Sequence, residues 1–93
     1  GDSVDQFLQK GIENKKIDAN TFTSPLTVEN FFTIGEDATK TAKLLNDNLL
    51  VVCIGPITAK VLDKYGVAHI YPDTYTVPDM MELLFKTWRE ENE

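Results

Sequence analysis

Six apolar residues stand in a row from Leu49 to Ile54. A run of that length with no polar alternation predicts a strand covered on both faces, as in the parallel sheet of an α/β protein. Gly55 follows at once and suits a sharp turn. Pro56 then supplies the preset φ and the dispensable N–H of a first helical position. The stretch therefore predicts strand, tight turn and helix. Its turn is the first candidate for a site, because open parallel sheets bind ligands beyond the carboxyl ends of their strands, where helix N–H groups point outward.

The pattern along the rest of the chain supplies similar units. Ser3 with Gln6 fits a capping box, and Val4, Phe7, Leu8 and Ile12 recur at helical spacing, so a first amphipathic helix is expected from about Val4 to Asn14. Ala19 to Thr23 has the content of a short strand and runs into Ser24-Pro25, a good N-cap and first helical residue. The helix that follows should bury Val28, Phe31 and Phe32 and end at Gly35. A further helix from Glu36-Asp37 should place Ala38, Ala42 and Leu45 on one face and end in a turn at Asn46-Asp47-Asn48. The helix after Gly55 should bury Ile57, Val61, Leu62 and Tyr65, with Gly66 just past its C-cap. Val67 to Tyr71 reads as a third short strand closed by Pro72. Thr76 then caps a last helix with an apolar stripe of Val77, Met81, Leu84, Phe85 and Trp88. The order α-β-α-α-β-α-β-α, with right-handed crossovers, predicts three sequential parallel strands, their crossover helices on one face and the last helix on the other.

Composition narrows the function classes. Ninety-three residues make at most one small domain, and 42% apolar content is that of a globular chain. Fifteen acidic against nine basic residues, a net charge of −6, disfavour nucleic acid and anionic membranes as partners, since both need clustered Lys and Arg. The one cysteine, Cys53, lies inside the apolar run and reads as a buried thiol, so neither a disulfide framework nor a metal-ligand spacing is present. With no apolar run near membrane-spanning length and no signal-type start, the chain is expected to be cytoplasmic.

Most of the chemistry-bearing residues have structural readings. His69 shares a short strand face with Val67 and Tyr71; Met80-Met81 suits a core; Glu36-Asp37 and Glu90-Glu91 suit caps or solvated faces. One His and one Cys so placed cannot make a nucleophilic triad. The hydroxyls are different. Thr21, Thr23, Ser24 and Thr27 cluster at one strand–helix junction and Thr58 lies just inside the next helix, so a parallel sheet would set both on one rim. That arrangement suits either the binding of carboxylate or phosphate oxygens or plain helix capping.

At these two junctions the chain resembles a known family. Thr21-Phe22-Thr23-Ser24-Pro25 with Thr27-Val28-Glu29-Asn30-Phe31, then Ile54-Gly55-Pro56-Ile57-Thr58-Ala59-Lys60 with Tyr65-Gly66, then Tyr75-Thr76-Val77-Pro78-Asp79-Met80, resemble uroporphyrinogen-III synthase, in that order and spacing, from Ile17 onward. The resemblance implies a flavodoxin-like (HemD-like) α/β fold with helices on both faces of a parallel sheet, residues 1–93 being part of one half of a two-domain synthase. It implies an enzyme that closes the linear tetrapyrrole hydroxymethylbilane into uroporphyrinogen III, with inversion of the last ring and loss of water, and without metal or organic cofactor. By the same resemblance the substrate carboxylates would meet Thr23, Ser24, Thr27, Gly55, Pro56 and Thr58, while the catalytic acid would lie outside this chain, which would then be inactive alone. The alternative is a non-catalytic half-domain that self-associates.

Three positions depart from the family pattern. Leu26 and Ile57 stand where a hydroxyl is common, which implies fewer substrate contacts, and Asn20 puts an amide where the strand is usually apolar. A five-stranded fold of which only three strands are present leaves the Ala19–Thr23 strand as an open edge. A homodimer through that edge is expected, or pairing with the missing companion domain. Asn20 would suit an edge left in water.

Overall fold

The computed structural model describes residues 18–34 and 37–92. The expected Val4–Asn14 helix and the helix stop at Gly35 lie outside them. The described elements are β1 (Asp18–Phe22), α1 (Pro25–Ile34), α2 (Ala38–Asn48), β2 (Leu49–Cys53), α3 (Pro56–Lys64) and α4 (Val77–Asn92).

β1 and β2 pair in parallel, from Asp18 opposite Leu49 to Phe22 opposite Cys53, and the Ile54 N–H extends the pairing by donating to the Phe22 carbonyl at 3.0 Å. On the other edge of β2 the expected third strand shrinks to one residue. Ile70 donates to the Val51 carbonyl at 3.0 Å and accepts from the Cys53 N–H at 2.9 Å, a lone parallel bridge to Val52. The sheet among the described residues thus has two strands, and the expectation of three is corrected. The reason is local. The next donor in such a ladder would be residue 72, and Pro72 has no N–H. The previous one is Ala68, whose N–H is taken by the Asn46 side-chain oxygen at 2.7 Å.

Alternation along β2 divides the core into two layers. Val51 and Cys53 face α1, α2 and α3 in a cluster with Phe22, Val28, Phe32, Ala42, Leu45, Ala59, Leu62 and Val67. Val52 faces the opposite way, against Met80 and Leu84 of α4, with Ala19, Leu50, Ile54 and Ile70 around them. Helices therefore cover both faces, with the crossover helices on one and the last helix on the other. Each Val, Leu, Phe or Met among them, fully buried, adds about 1.5–3 kcal/mol of transfer free energy. At the border of this layer the Phe32 ring of α1 stacks on Tyr65, just past α3, with centroids 4.1 Å apart, and outside it Lys64 reaches Glu29 at 3.3 Å.

Three expectations about faces and ends are corrected. In α3 the buried residues are Thr58, Ala59 and Leu62, while Ile57 is 71% exposed. At 3.6 residues per turn Ile57 lies about 140° around the axis from Leu62, and the small Thr58 and Ala59 let that side approach the sheet. In α4 the inner residues are Met80 and Leu84, flanked by Met81 and Leu83, whereas Val77 and Phe85 are about half exposed and Trp88 is also exposed. Sixteen helical residues run longer than five strand residues, so the ends of α4 overhang the sheet. The Asn46-Asp47-Asn48 segment is the last turn of α2, not a loop. The helix passes directly into β2, with the Leu49 N–H bonded to the Leu45 carbonyl and the Asn48 amide donating to Leu44 O at 2.9 Å. After α3 the chain turns as expected: Gly66 has φ of +74°, its N–H donates to Asp63 O, and the Val67 N–H donates to Leu62 O, which is a Schellman closure.

The two residues that the apolar pattern treats alike are separable by stability. Leu62→Ala should lower the unfolding free energy by about 2–5 kcal/mol and Ile57→Ala by less than about 0.5 kcal/mol, read from urea midpoints. Equal losses would return Ile57 to the core.

Candidate functional site

Because β1 and β2 are parallel and in register, Phe22 and Cys53 end side by side, and the chain leaves both strands at one edge. The structure thereby brings Thr23, Ser24 and Thr27 onto the same rim as Gly55, Pro56 and Thr58. The two helix starts are finished in different ways.

At the start of α1, Ser24 and Thr27 cap each other. The Thr27 N–H donates to Ser24 Oγ at 3.2 Å, the Ser24 N–H donates to Thr27 Oγ1 at 3.3 Å, and the Thr27 hydroxyl donates to the Ser24 carbonyl at 2.7 Å. This reciprocal pairing uses both hydroxyls on the helix itself. Thr23 is exposed beside them, and Thr21 stays half-buried within β1.

The start of α3 has no side-chain cap. Among the described residues the other three helices have one: Ser24 for α1, Asp37 accepting from the Lys40 N–H at 3.1 Å for α2, and Thr76 accepting from the Asp79 N–H at 3.2 Å for α4. The first internal bond of α3 is Ala59 N–H to Gly55 O at 3.0 Å, so the N–H groups of Ile57 and Thr58 have no acceptor within the helix. Thr58 is buried as a whole residue, at 2% exposure, so its hydroxyl does not stand on the rim. Standing outward instead are Leu26, 67% exposed, and Ile57, each directly after a helix-starting proline.

Gly55 has extended angles, φ −176° and ψ −173°, which any residue can adopt. Its lack of a side chain answers a different need. A Cβ there would lie 3.0 Å from Tyr75 Cγ and 3.1 Å from Tyr75 Cδ1, so the ring of Tyr75 fills the space. Tyr75 meets Tyr71 edge to face at 6.2 Å, and both rings are partly open to solvent. Tyr75 opens the third motif that resembles the family, but nothing in its spacing or that of Tyr71 tells that it meets the Gly55 turn. Asn46 was equally hidden. Its amide donates to Gly66 O at 2.9 Å while its oxygen accepts from Ala68, tying the end of α2 to the loop after α3.

The remaining titratable residues serve structure. Burial pushes the Cys53 thiol up from its ordinary value, partly countered by its bond to the Gly55 carbonyl. The Tyr65 phenol is raised by its hydrogen bond to the Glu29 carboxylate, with smaller effects from burial and from the Glu29 charge. His69 is half-buried, its Nδ1 2.8 Å from the Val67 carbonyl and its Nε2 3.6 Å from an Asp63 oxygen. Among the described residues no group of three or more His, Cys, Asp or Glu is placed to hold a metal ion, and no helix is long and apolar enough to cross a membrane.

Comparison with known proteins bears on this rim. The family model for uroporphyrinogen-III synthase HemD matches residues 2–82. A candidate uroporphyrinogen-III synthase of Methanothermobacter thermautotrophicus is 43% identical over 77 residues, which is 83% of this chain and 30% of that protein. Another, of Methanocaldococcus jannaschii, is 45% identical over 64 residues, 69% of this chain and 25% of that protein. Among solved structures, Thermus thermophilus uroporphyrinogen III synthase is similar in fold, with a TM-score of 0.66 at 21% identity, covering 85% of this chain and 32% of that one. The chain thus spans about a third or less of the length of the relatives it matches.

The buried thiol gives a pH dependence of known sign. Folding holds Cys53 neutral above its ordinary value of 9.0, so its contribution is intact below about pH 9 and is lost as pH rises toward the folded value. Urea melts from pH 7 to 10.5 should show wild type losing stability more steeply above pH 9 than Cys53→Ala. Parallel profiles would mean the thiol ionises as readily folded as unfolded.

Proposed function

The chain belongs to the uroporphyrinogen-III synthase family, and from that premise we propose that it supplies one wall of the synthase cleft in a longer polypeptide. The activity is the closure of hydroxymethylbilane to uroporphyrinogen III. The observation that carries this reading is the shared rim: two helix starts after adjacent parallel strands, one of them without a side-chain cap. An uncapped start offers N–H groups and the positive end of a helix dipole to a carboxylate, and needs no net positive charge on an acidic chain. In this reading the unpaired first-turn N–H groups of α3, that of the exposed Ile57 foremost, receive substrate carboxylates at the Gly55-Pro56 turn, and Thr23 adds a free-standing hydroxyl. Ser24 and Thr27 act chiefly by fixing the start of α1. Leu26 and Ile57 place apolar surface between the carboxylate contacts, suited to the faces of pyrrole rings.

One wall buries too little of a large ligand to hold it or to exclude water. The 93-residue chain alone should therefore form no type III product from hydroxymethylbilane above the spontaneous background, and should bind uroporphyrin too weakly for calorimetry at micromolar concentration. The full polypeptide should form type III product, with KM raised by Thr23→Val. Type III product from the isolated chain, or none from the full polypeptide, would overturn the reading.

The same reading assigns the outer edge of β1 to the companion part of the fold. In the isolated chain that edge pairs with a second copy, since an exposed row of backbone groups is a template for strand addition. Sedimentation at micromolar concentration should give a dimer. A monomer that melts cooperatively would show that the edge needs no cover.

A further inference from the structure

The loop from Ile70 to Val77 crosses the rim from the edge of the sheet to α4 on the opposite face, and Tyr75 is the residue by which it touches the β2–α3 turn. The contact is made by the root of the side chain. Cβ, Cγ and Cδ1 of Tyr75 lie 3.0–3.2 Å from where a Cβ on Gly55 would stand. Gly55 itself is buried although its turn is at the surface. Its backbone angles do not require glycine, whereas the Tyr75 ring occupies the place of a side chain. The side chain is 56% exposed, and its outward side meets Tyr71.

We propose that Tyr75 is a positioning residue for the rim: its ring, seated in the space left by Gly55, fixes the direction in which the first N–H groups of α3 point. The inference rests on the function proposed for that helix start, and adds a residue to it from a different segment. α3 has no side-chain cap to hold its first turn, and the Gly55 N-cap is the residue with the most backbone freedom. Something must restrict it if its neighbours are to meet a ligand in one orientation, and the atoms nearest to where its side chain would stand are those of Tyr75. Because the contact uses the ring root, the phenol oxygen is dispensable for positioning.

Gly55→Ala, Tyr75→Ala, Tyr75→Phe and the double variant Gly55→Ala/Tyr75→Ala, made in the full polypeptide, test this. Misplacing a contact by a fraction of an ångström is costly to binding, so Tyr75→Ala should raise KM for hydroxymethylbilane about tenfold with kcat changed less than about twofold. Tyr75→Phe should restore wild-type KM. Gly55→Ala should move the amide resonances of Ile57 and Thr58, and the double variant should return them toward wild type, because the added methyl then occupies the vacated space. Wild-type KM in Tyr75→Ala, or Tyr75→Phe as impaired as Tyr75→Ala, would overturn the proposal. So would a double variant whose shifts are the sum of the two single ones. A full polypeptide without synthase activity would remove the proposed function, and the amide shifts would still decide the positioning role.

Discussion

Everything described here depends on one strand that has no solvent side. β2 buries Val51 and Cys53 in one layer and Val52 in the other, each at 2% exposure or less. A strand in that position cannot tolerate a shift of register by one residue. Unlike a half-buried strand, it would not expose its apolar set by slipping, but each side chain would meet the packing of the wrong layer. The layers differ in kind. Three helices and the Phe22–Phe31–Phe32–Tyr65 chain of rings form one, and a single helix that seats Met80 and Leu84 on Val52 forms the other. Parallel pairing with β1 follows from the crossover through α1 and α2, and the common rim follows from the parallel pairing.

Helix ends are the second organising feature. A chain of this size has four described helices and therefore many backbone donors to satisfy at their starts. Three starts are closed by Ser24, Asp37 and Thr76, residues that rank among the best N-caps. The fourth is left to a glycine and a proline. Under the proposed function this is the junction that would face the substrate, and the missing cap then has a use: a donor that is to serve a substrate cannot be spent on the chain itself.

Much of this was legible in the residues. The six-residue apolar run identified the central strand, Ser24-Pro25 and Gly55-Pro56 marked both junctions, and Tyr65-Gly66 marked the Schellman turn. What could not be read was decided by contacts distant in sequence. Periodicity offered Ile57 and Leu62 equally; only the close approach of Thr58 and Ala59 to the sheet chose between them. Val67 to Tyr71 has strand-like composition, and its reduction to a single bridge follows from an amide more than 20 residues away, Asn46 bonding Ala68, and from a proline whose missing donor falls at a ladder position. On the rim, the hydroxyls of Ser24 and Thr27 were visible, but not that each would be occupied by the other. Tyr75 was visible as the first residue of the Tyr75-Thr76-Val77-Pro78 motif, but not as the ring that leans on the Gly55 backbone.

The lone bridge at Ile70 has a bearing on how the molecule behaves among its own copies. A full third strand would have carried an outer row of donors and acceptors, flat and long enough for a stray chain to extend into a growing ribbon. Held to one residue between the Asn46 tether and Pro72, that side of the sheet shields β2 while presenting a stretch too short to template further pairing. The truncation that costs the sheet several hydrogen bonds thereby leaves this border a poor template for fibril growth.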